Sequence, residues 1–420
     1  MIKNEIQCLL VIGFDCVAIA KSAKNAGYKI YCADYFGDVD LQYFSDGYKA
    51  VIKQKVGRSC GKIEQKFNPE SFVKIAKSLL KKYRVDAILL SSGLDDYFSV
   101  IHELNDLTPI IGNLPQVIEK VRRKSEFFEE LKHLSIAYPQ TKIVQAFDEA
   151  RSAATEIGYP VVLKPTLSSS GMGIKMAHNV KELTEVFPKV LRVDKEVLIQ
   201  EFIGGIHVSV SILATEENVK LLTINEQLLG LNSVFQREPF GYCGNIVPLQ
   251  VTPSVLEKCK FIAEKIALHF GLKGSNGIDL VIYKDTPYVI EVNPRFQGTL
   301  ECVENVLRIN MVKLHLNACL HNSIPIMEEK PQKFCTRLIL YAPKRIIASD
   351  LTVFQEVRDI PLPLSIIEKG EPLCSILTEA NSGKMAFRKA NRLAEVIYTR
   401  ILQLKEPNPF FEPHKLLGVL

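Results

Sequence analysis

Residues 277–293, "GIDLVIYKDTPYVIEVN", set the tightest limit on how this chain folds. Two runs rich in Val, Ile and Tyr flank the turn-forming "KDTP", which predicts a hairpin with strands over 278–283 and 288–292. With the turn centred on Asp285, Asp279 falls directly opposite Glu291. Facing Cβ atoms there lie roughly 4.5–5.5 Å apart, and like charges repel. Period-two alternation puts Asn293 on the same face. No basic residue lies between the acids in either strand, and an ionised carboxylate in a half-buried strand is costly unless a positive charge answers it. A hard cation meets that need, Mg²⁺ more readily than Zn²⁺, because Mg²⁺ prefers oxygen ligands and is usually held by one or two carboxylates plus substrate phosphates. The alternative is a solvent-facing hairpin edge with ordinary surface acids.

Phosphates direct attention to "YPVVLKPTLSSSGMGI", residues 159–174, where an apolar strand ends in Lys164 and a small-residue loop follows over 168–173. Such a loop leaves backbone N–H groups free to face an anion. It is not a Walker loop, since no Gly-Lys-Ser/Thr closes it. By itself it is equally a plain turn, but a lysine closing the strand beside it is placed to neutralise phosphate. A second such lysine, Lys124, sits in "VRRKSEFFEEL" just before a helical run.

In this order Lys124, "VVLKP" with Lys164, the small-residue loop, "VLIQEFIGG", "NGIDLVI" and "VIEVNPR" resemble the ATP-grasp superfamily, which includes biotin carboxylase, carbamoyl-phosphate synthetase and D-alanine–D-alanine ligase. The resemblance implies an α/β and α+β architecture. A Rossmann-like α/β domain over 1–112 precedes an ATP-grasp domain of two nucleotide-binding lobes over 113–328. A small β-rich module with a terminal helix follows over 329–420. The cofactors implied are ATP and two Mg²⁺ ions, with Mn²⁺ able to stand in. Lys124 and Lys164 would contact the α- and β-phosphates, and the loop around Ser169, Gly171 and Gly173 would close over the triphosphate. Glu201 and the backbone of Phe202 and Ile203 would bond the adenine edge. Asp279, Glu291 and Asn293 would hold the ions, Glu291 shared, and Arg295 would stabilise the transferred phosphoryl group. Many members bond the ribose with an acid where this chain has His207, a residue similar to that of carboxylase-like members. As the alternative, a lone histidine on a strand is a packed core residue.

The reaction implied is ligation: a substrate carboxylate becomes an acyl phosphate, an amine displaces phosphate, and ADP and phosphate leave. An ATP-dependent carboxylase activating bicarbonate and a non-catalytic nucleotide-binding protein are the competing readings. On the charge argument alone, Glu291→Gln leaves the empty protein as stable or more stable, because a repelling charge is gone.

Net charge is +5, from 52 basic and 47 acidic residues, which points at most to a preference for anionic ligands and to no nucleic-acid footprint; the small-molecule carboxylate and amine substrates are what the resemblance implies. The basic clusters "KVRRK" and "KSLLKKYR" fall in helical patterns and read as solvated faces. Ten scattered cysteines without Cys-x-x-Cys indicate reduced thiols in a cytoplasmic protein. "CLLVIGFDCVAIA" is interrupted by Asp15 and reads as a buried strand turning into a helix, with no membrane partner. A homodimer is consistent with the pairing common among relatives. Strand and helix patterns alternate through 1–112, so Asp34, Asp95 and Asp96 follow strands at the end where α/β sheets bind ligands and are expected as substrate contacts. Residues 236–250, "QREPFGYCGNIVPLQ", read as a long polar loop in which Arg237, Tyr242 and Asn245 orient the acceptor or the nucleophile, or else as an exposed hairpin loop.

Overall fold

Alternating apolar runs and amphipathic stretches at the start of the chain fold as a parallel sheet. The computed structural model describes residues 6–59, 67–166, 171–327 and 330–403. Strands β1 (Cys8–Gly13), β2 (Lys29–Asp34), β3 (Gly47–Ala50) and β4 (Ala87–Leu90) pair in the order β3-β2-β1-β4. β1 is buried throughout because helices cover both faces. Leu9 and Val11 pack towards helix Val17–Asn25, while Leu10 and Ile12 pack towards helices Glu70–Leu80 and Phe98–Leu107. Asp34, expected as a substrate contact, closes β2. It is buried and accepts hydrogen bonds from the N–H groups of Cys16 (3.1 Å) and Gly37 (2.6 Å), so its task is to hold the turns after β1 and β2.

The next lobe is an antiparallel sheet of β5 (Thr141–Val144), β6 (Val161–Pro165), β7 (Lys175–Ala177) and β8 (Val197–Glu201), ordered β5-β8-β6-β7. Helices Phe147–Ile157 and Val180–Leu191 cover one face through Ala150, Ala154, Leu183 and Phe187.

The largest sheet contains β9 (Ile206–Ala214), β10 (Val219–Leu229), β11 (Tyr242–Val247), β12 (Gly274–Tyr283), β13 (Thr286–Asn293) and β14 (Phe334–Tyr341). Two strands from the last part of the chain, β16 (Val357–Arg358) and β18 (Pro372–Ala380), complete the order β13-β12-β9-β10-β11-β14-β18-β16, and a separate pair joins β15 (Ile346–Ile347) to β17 (Ile366–Ile367). The strands after residue 329 therefore continue the central sheet across the point where a separate module was expected to begin. Gly244 permits the junction: its φ is 121°, and a Cβ there would lie 1.9 Å from the Arg337 carbonyl oxygen on β14. The expected loop over 236–250 is likewise half strand, since Tyr242–Val247 is β11.

Period-two alternation divides the large sheet into two faces. Val208, Val210, Ile212, Ile224, Ile278, Leu280 and Val292 join the core under helix Pro253–Phe270. The opposite face carries polar groups in register: Glu291 pairs with Asp279, Asp279 with Ser209, and Ser209 with Asn225. That row faces the cleft.

Candidate active site

β12 and β13 form the predicted hairpin by an unexpected route. Tyr283 pairs with Thr286, so the turn is the two residues Lys284 and Asp285, both with positive φ (46° and 59°), as a type I′ turn requires. That register alone would set Asp279 against Ile290. A bulge shifts the pairing between Asp279 and Leu280, and beyond it Asp279 faces Glu291 and Gly277 faces Asn293.

The acids are answered differently. Asp279 Oδ2 accepts from Asn293 Nδ2 (3.1 Å), while its buried Oδ1 accepts no hydrogen bond among the described residues. Burial, then the charge of Glu291, pushes its carboxyl up to about 7. Glu291 Oε2 accepts from Lys124 Nζ (2.8 Å) and from Arg122 NH1 (3.3 Å). Burial alone would raise the Glu291 carboxyl, but Lys124 and Arg122, with Lys164, hold it well below the usual carboxylate range. Neither strand supplies a cation to this pair. The cations come from helices Pro115–Arg122 and Lys124–His133, far away in sequence, and they pair with Glu291 without any nucleotide, while its charge still raises the Asp279 carboxyl.

Lys164, on β6, points from the smaller lobe into the same field. Its Nζ donates to Gln200 Oε1 (2.7 Å). Burial lowers its ammonium to about 8, a shift that Glu291 opposes and Lys124 reinforces. His207, on the polar face of β9, is also held below its ordinary value, first by burial and then by the charge of Lys164. Its ring meets Phe240 edge-on, with centroids 6.5 Å apart.

Arg295 lies over the end of the hairpin. Its Nε donates to both oxygens of Asp95 (2.9 and 3.1 Å) and its NH2 to Asn293 Oδ1 (3.2 Å). Asp96 receives Arg122 as a fork, from Nε to Oδ1 at 2.7 Å and from NH2 to Oδ2 at 2.8 Å. Two of the three aspartates expected as substrate contacts, Asp95 and Asp96, are therefore committed to arginines. Sequence reasoning missed Arg122 because, Lys124 apart, it assigned "KVRRK" to a solvated face. The structure splits that block: Arg122 is buried, Lys124 nearly so, and Arg123 turns outward to Glu119. Position supplied the available signal, since Arg122 and Arg123 are adjacent and point to different sides of a helix end.

At the other end of the cleft, Glu201 closes β8, and its carboxylate accepts from the Gln140 N–H (3.1 Å). The Phe202 N–H donates to the Pro160 carbonyl (3.3 Å), and the Ile203 carbonyl accepts from the Gly205 N–H (3.0 Å). Three of the groups expected at an adenine edge are thus engaged within the protein. Ser169 lies outside the described residues. Gly171 (φ 74°) and Gly173 (φ 75°) both adopt backbone that favours glycine, and a Cβ on Gly171 would sit 1.8 Å from the Phe240 carbonyl oxygen. An ion pair between Lys175 and Glu238 (2.5 Å) joins the same two segments. Tyr242 and Asn245 bond each other through their side chains, and Asn245 Nδ2 also donates to the Glu226 carbonyl (3.2 Å), which makes them struts of β10 and β11. The structure places Arg237 through its backbone, whose N–H donates to Gln236 Oε1.

Two lobes closing on a hairpin that bears facing acids define an ATP-grasp fold, and residues 121–299 match the ATP-grasp domain family. The chain is similar to that family over this stretch. It is 26% identical over 373 residues to an uncharacterised protein of Methanocaldococcus jannaschii, covering 89% of this chain and 88% of that one. Where it matches the carbamoyl phosphate synthase large chain of Helicobacter pylori, at 26% identity over 59% of its length, it spans only 23% of that relative. Among solved structures, the biotin carboxylase domain of Hydrogenobacter thermophilus 2-oxoglutarate carboxylase superposes with a TM-score of 0.72 at 17% identity, covering 95% of this chain and 90% of that one. The L-amino acid ligase of Bacillus licheniformis gives 0.69 at 17% identity, with 94% and 98% covered. No helix among the described residues is long and apolar enough to cross a membrane.

Proposed function

We propose that the protein is an ATP- and Mg²⁺-dependent ligase that activates a substrate carboxylate as an acyl phosphate and passes the acyl group to an amine. The observation that carries this reading is the facing of Asp279 and Glu291, with Asn293 beside them and Lys124 and Lys164 in the same field. The donor set fits a hard divalent ion: two carboxylates and a carboxamide oxygen, with Asp279 Oδ1 buried and unbonded among the described residues. In this reading Asp279, Glu291 and Asn293 hold two ions, which neutralise phosphate oxygens when bound.

Lys124 and Lys164 take the α- and β-phosphates, and Gly171 and Gly173 belong to the loop that keeps water away. Glu201, Phe202 and Ile203 border the base, with His207 between base and phosphates. Arg295 faces the phosphoryl group in flight. A carboxylate oxygen of the substrate forms a bond to the γ-phosphorus as the bond to the β-phosphate oxygen breaks, and ADP leaves. The amine nitrogen then attacks the acyl carbon, phosphate leaves with the bonding pair, and the amine loses a proton. The chain's own work is positioning and charge compensation, which dominate phosphoryl transfer.

The similarity to an amino-acid ligase supports the amine as acceptor, and that to a biotin carboxylase domain keeps bicarbonate as the competing acid. An ADP-release screen of paired carboxylic acids and amines, with a bicarbonate arm, tests the choice. Release that requires both an acid and an amine is expected. Release driven by bicarbonate alone would replace the reading with a carboxylase, and nucleotide binding without turnover across the panel would replace it with a binding protein.

A further inference from the structure

The loop after β4 carries two consecutive aspartates, and each grips an arginine whose far end rests on a different member of the candidate ion-binding set. Asp95 holds Arg295, which reaches Asn293, while Asp96 holds Arg122, which reaches Glu291. We infer that Asp96 and Arg122 are positioning residues: they fix the orientation and charge of Glu291, and through them the first α/β layer sets how tightly the site holds its divalent ion. The inference rests on the ligase reading above.

The geometry distinguishes Arg122 from its neighbour Lys124, although both donate to Glu291 Oε2. Lys124 meets the carboxylate through one flexible ammonium, at 2.8 Å. Arg122 is pinned at both ends, with Nε and NH2 forked onto the two Asp96 oxygens at 2.7 and 2.8 Å and NH1 shared between Glu291 Oε2 and the Val292 carbonyl, both at 3.3 Å. A planar guanidinium tied at both ends does not swing, whereas an ammonium on a four-carbon stem does. When phosphates enter, Lys124 is the cation that moves to them. Arg122 stays and keeps Oε2 occupied, so Oε1 is the Glu291 oxygen that would be left for an ion.

Asp96 has a second task. A lone guanidinium next to an ion site repels a divalent cation, and the Asp96 carboxylate cancels that charge at bidentate distance. Arg122 is buried, so solvent does little to screen it. Outer groups of this kind are where metal affinity is tuned without touching the ion.

The test uses the full chain and reads metal and nucleotide separately. For wild type, Asp96→Asn and Arg122→Lys, ATP binding is titrated calorimetrically in chelator and at rising Mn²⁺, and free Mn²⁺ is followed by electron paramagnetic resonance. Expected are a metal-free ATP affinity within about twofold of wild type and a Mn²⁺ half-saturation raised about tenfold or more in Asp96→Asn. Asp96→Glu, which keeps the charge, is expected to recover most of the loss. A purely structural role would lower the melting midpoint and leave the ratio of metal-bound to metal-free affinity alone. Folded variants with wild-type Mn²⁺ half-saturation overturn this inference and leave the ligase reading standing. A wild-type chain that binds neither ATP nor Mn²⁺ overturns both.

Discussion

Replacing Glu291 with Gln separates the structural argument from the simple repulsion argument, because the two give opposite signs for the empty protein. The carboxylate repels Asp279 and also neutralises Arg122 and Lys124, whose side chains are 5% and 13% exposed. Removing one partner of a buried ion pair costs about 3–5 kcal/mol. Because Glu291 keeps 30% of its side chain exposed and glutamine still accepts a hydrogen bond, roughly half of that applies, about 2 kcal/mol. The relief at Asp279 is smaller than its raised pKa suggests. Burial is the leading cause of the shift to about 7, and the variant leaves the burial in place. We expect a recovery of about 1 kcal/mol at pH 8, where Asp279 is ionised, and a net loss of about 1 kcal/mol. Urea unfolding at pH 8 without nucleotide reads this directly. Repeating it with Mg-ATP at about 100 times the wild-type Kd should add about 2.7 kcal/mol to wild type and far less to the variant. A variant more stable than wild type without nucleotide would refute the reasoning, since the cations would then have no need of Glu291.

Lys164→Ala should weaken ATP binding at pH 7 by about tenfold or more, the worth of a charge-assisted bond, and calorimetry showing equal affinity would remove its phosphate role. Because the Lys164 ammonium is lowered to about 8, wild-type ATP affinity should fall as pH rises above 8, by up to about tenfold per unit, and this dependence should vanish in the variant. His315 is buried and neutral: its Nδ1 accepts from the Ser275 N–H (2.9 Å) and its Nε2 meets the Ile111 carbonyl (2.9 Å). Burial lowers it from 6.5 to about 4, so it stabilises the fold above pH 6.5 and that stability is lost as pH falls towards 4. The loss between pH 7 and 5 is about 2 kcal/mol, measurable as a steeper pH dependence of urea unfolding in wild type than in His315→Gln; parallel curves would refute it. Gly171→Ala should force its segment away from Phe240, so cleavage of residues 236–241 by limited proteolysis should accelerate; an unchanged rate would mean that the two segments do not pack together.

The hairpin shows how far local chemistry reaches. "KDTP" between two β-rich runs was enough to mark the hairpin, but the turn is tighter than expected, and only a bulge brings Asp279 opposite Glu291. No residue in "YVIEVN" marks that bulge, because a bulge reflects how β12 must also pair with β9 on its other side. Lys164 and His207 were legible as strand residues beside glycine-bearing turns, but their lowered pKa values arise from burial that only the assembled lobes create.

Read alone, the sequence determined the strands, the motif order and the shared face of Glu291 and Asn293, because period-two alternation and turn chemistry act over a few residues; the bulge that sets Asp279 opposite Glu291 came from the assembled sheet. Tertiary structure alone decided what neutralises them. Arg122 and Lys124 lie 169 and 167 positions from Glu291, and Asp96 another 26 before Arg122. Ion pairs closed over such separations leave no period in the chain. They form only because a buried charge takes the nearest opposite one that the packed layers bring to it.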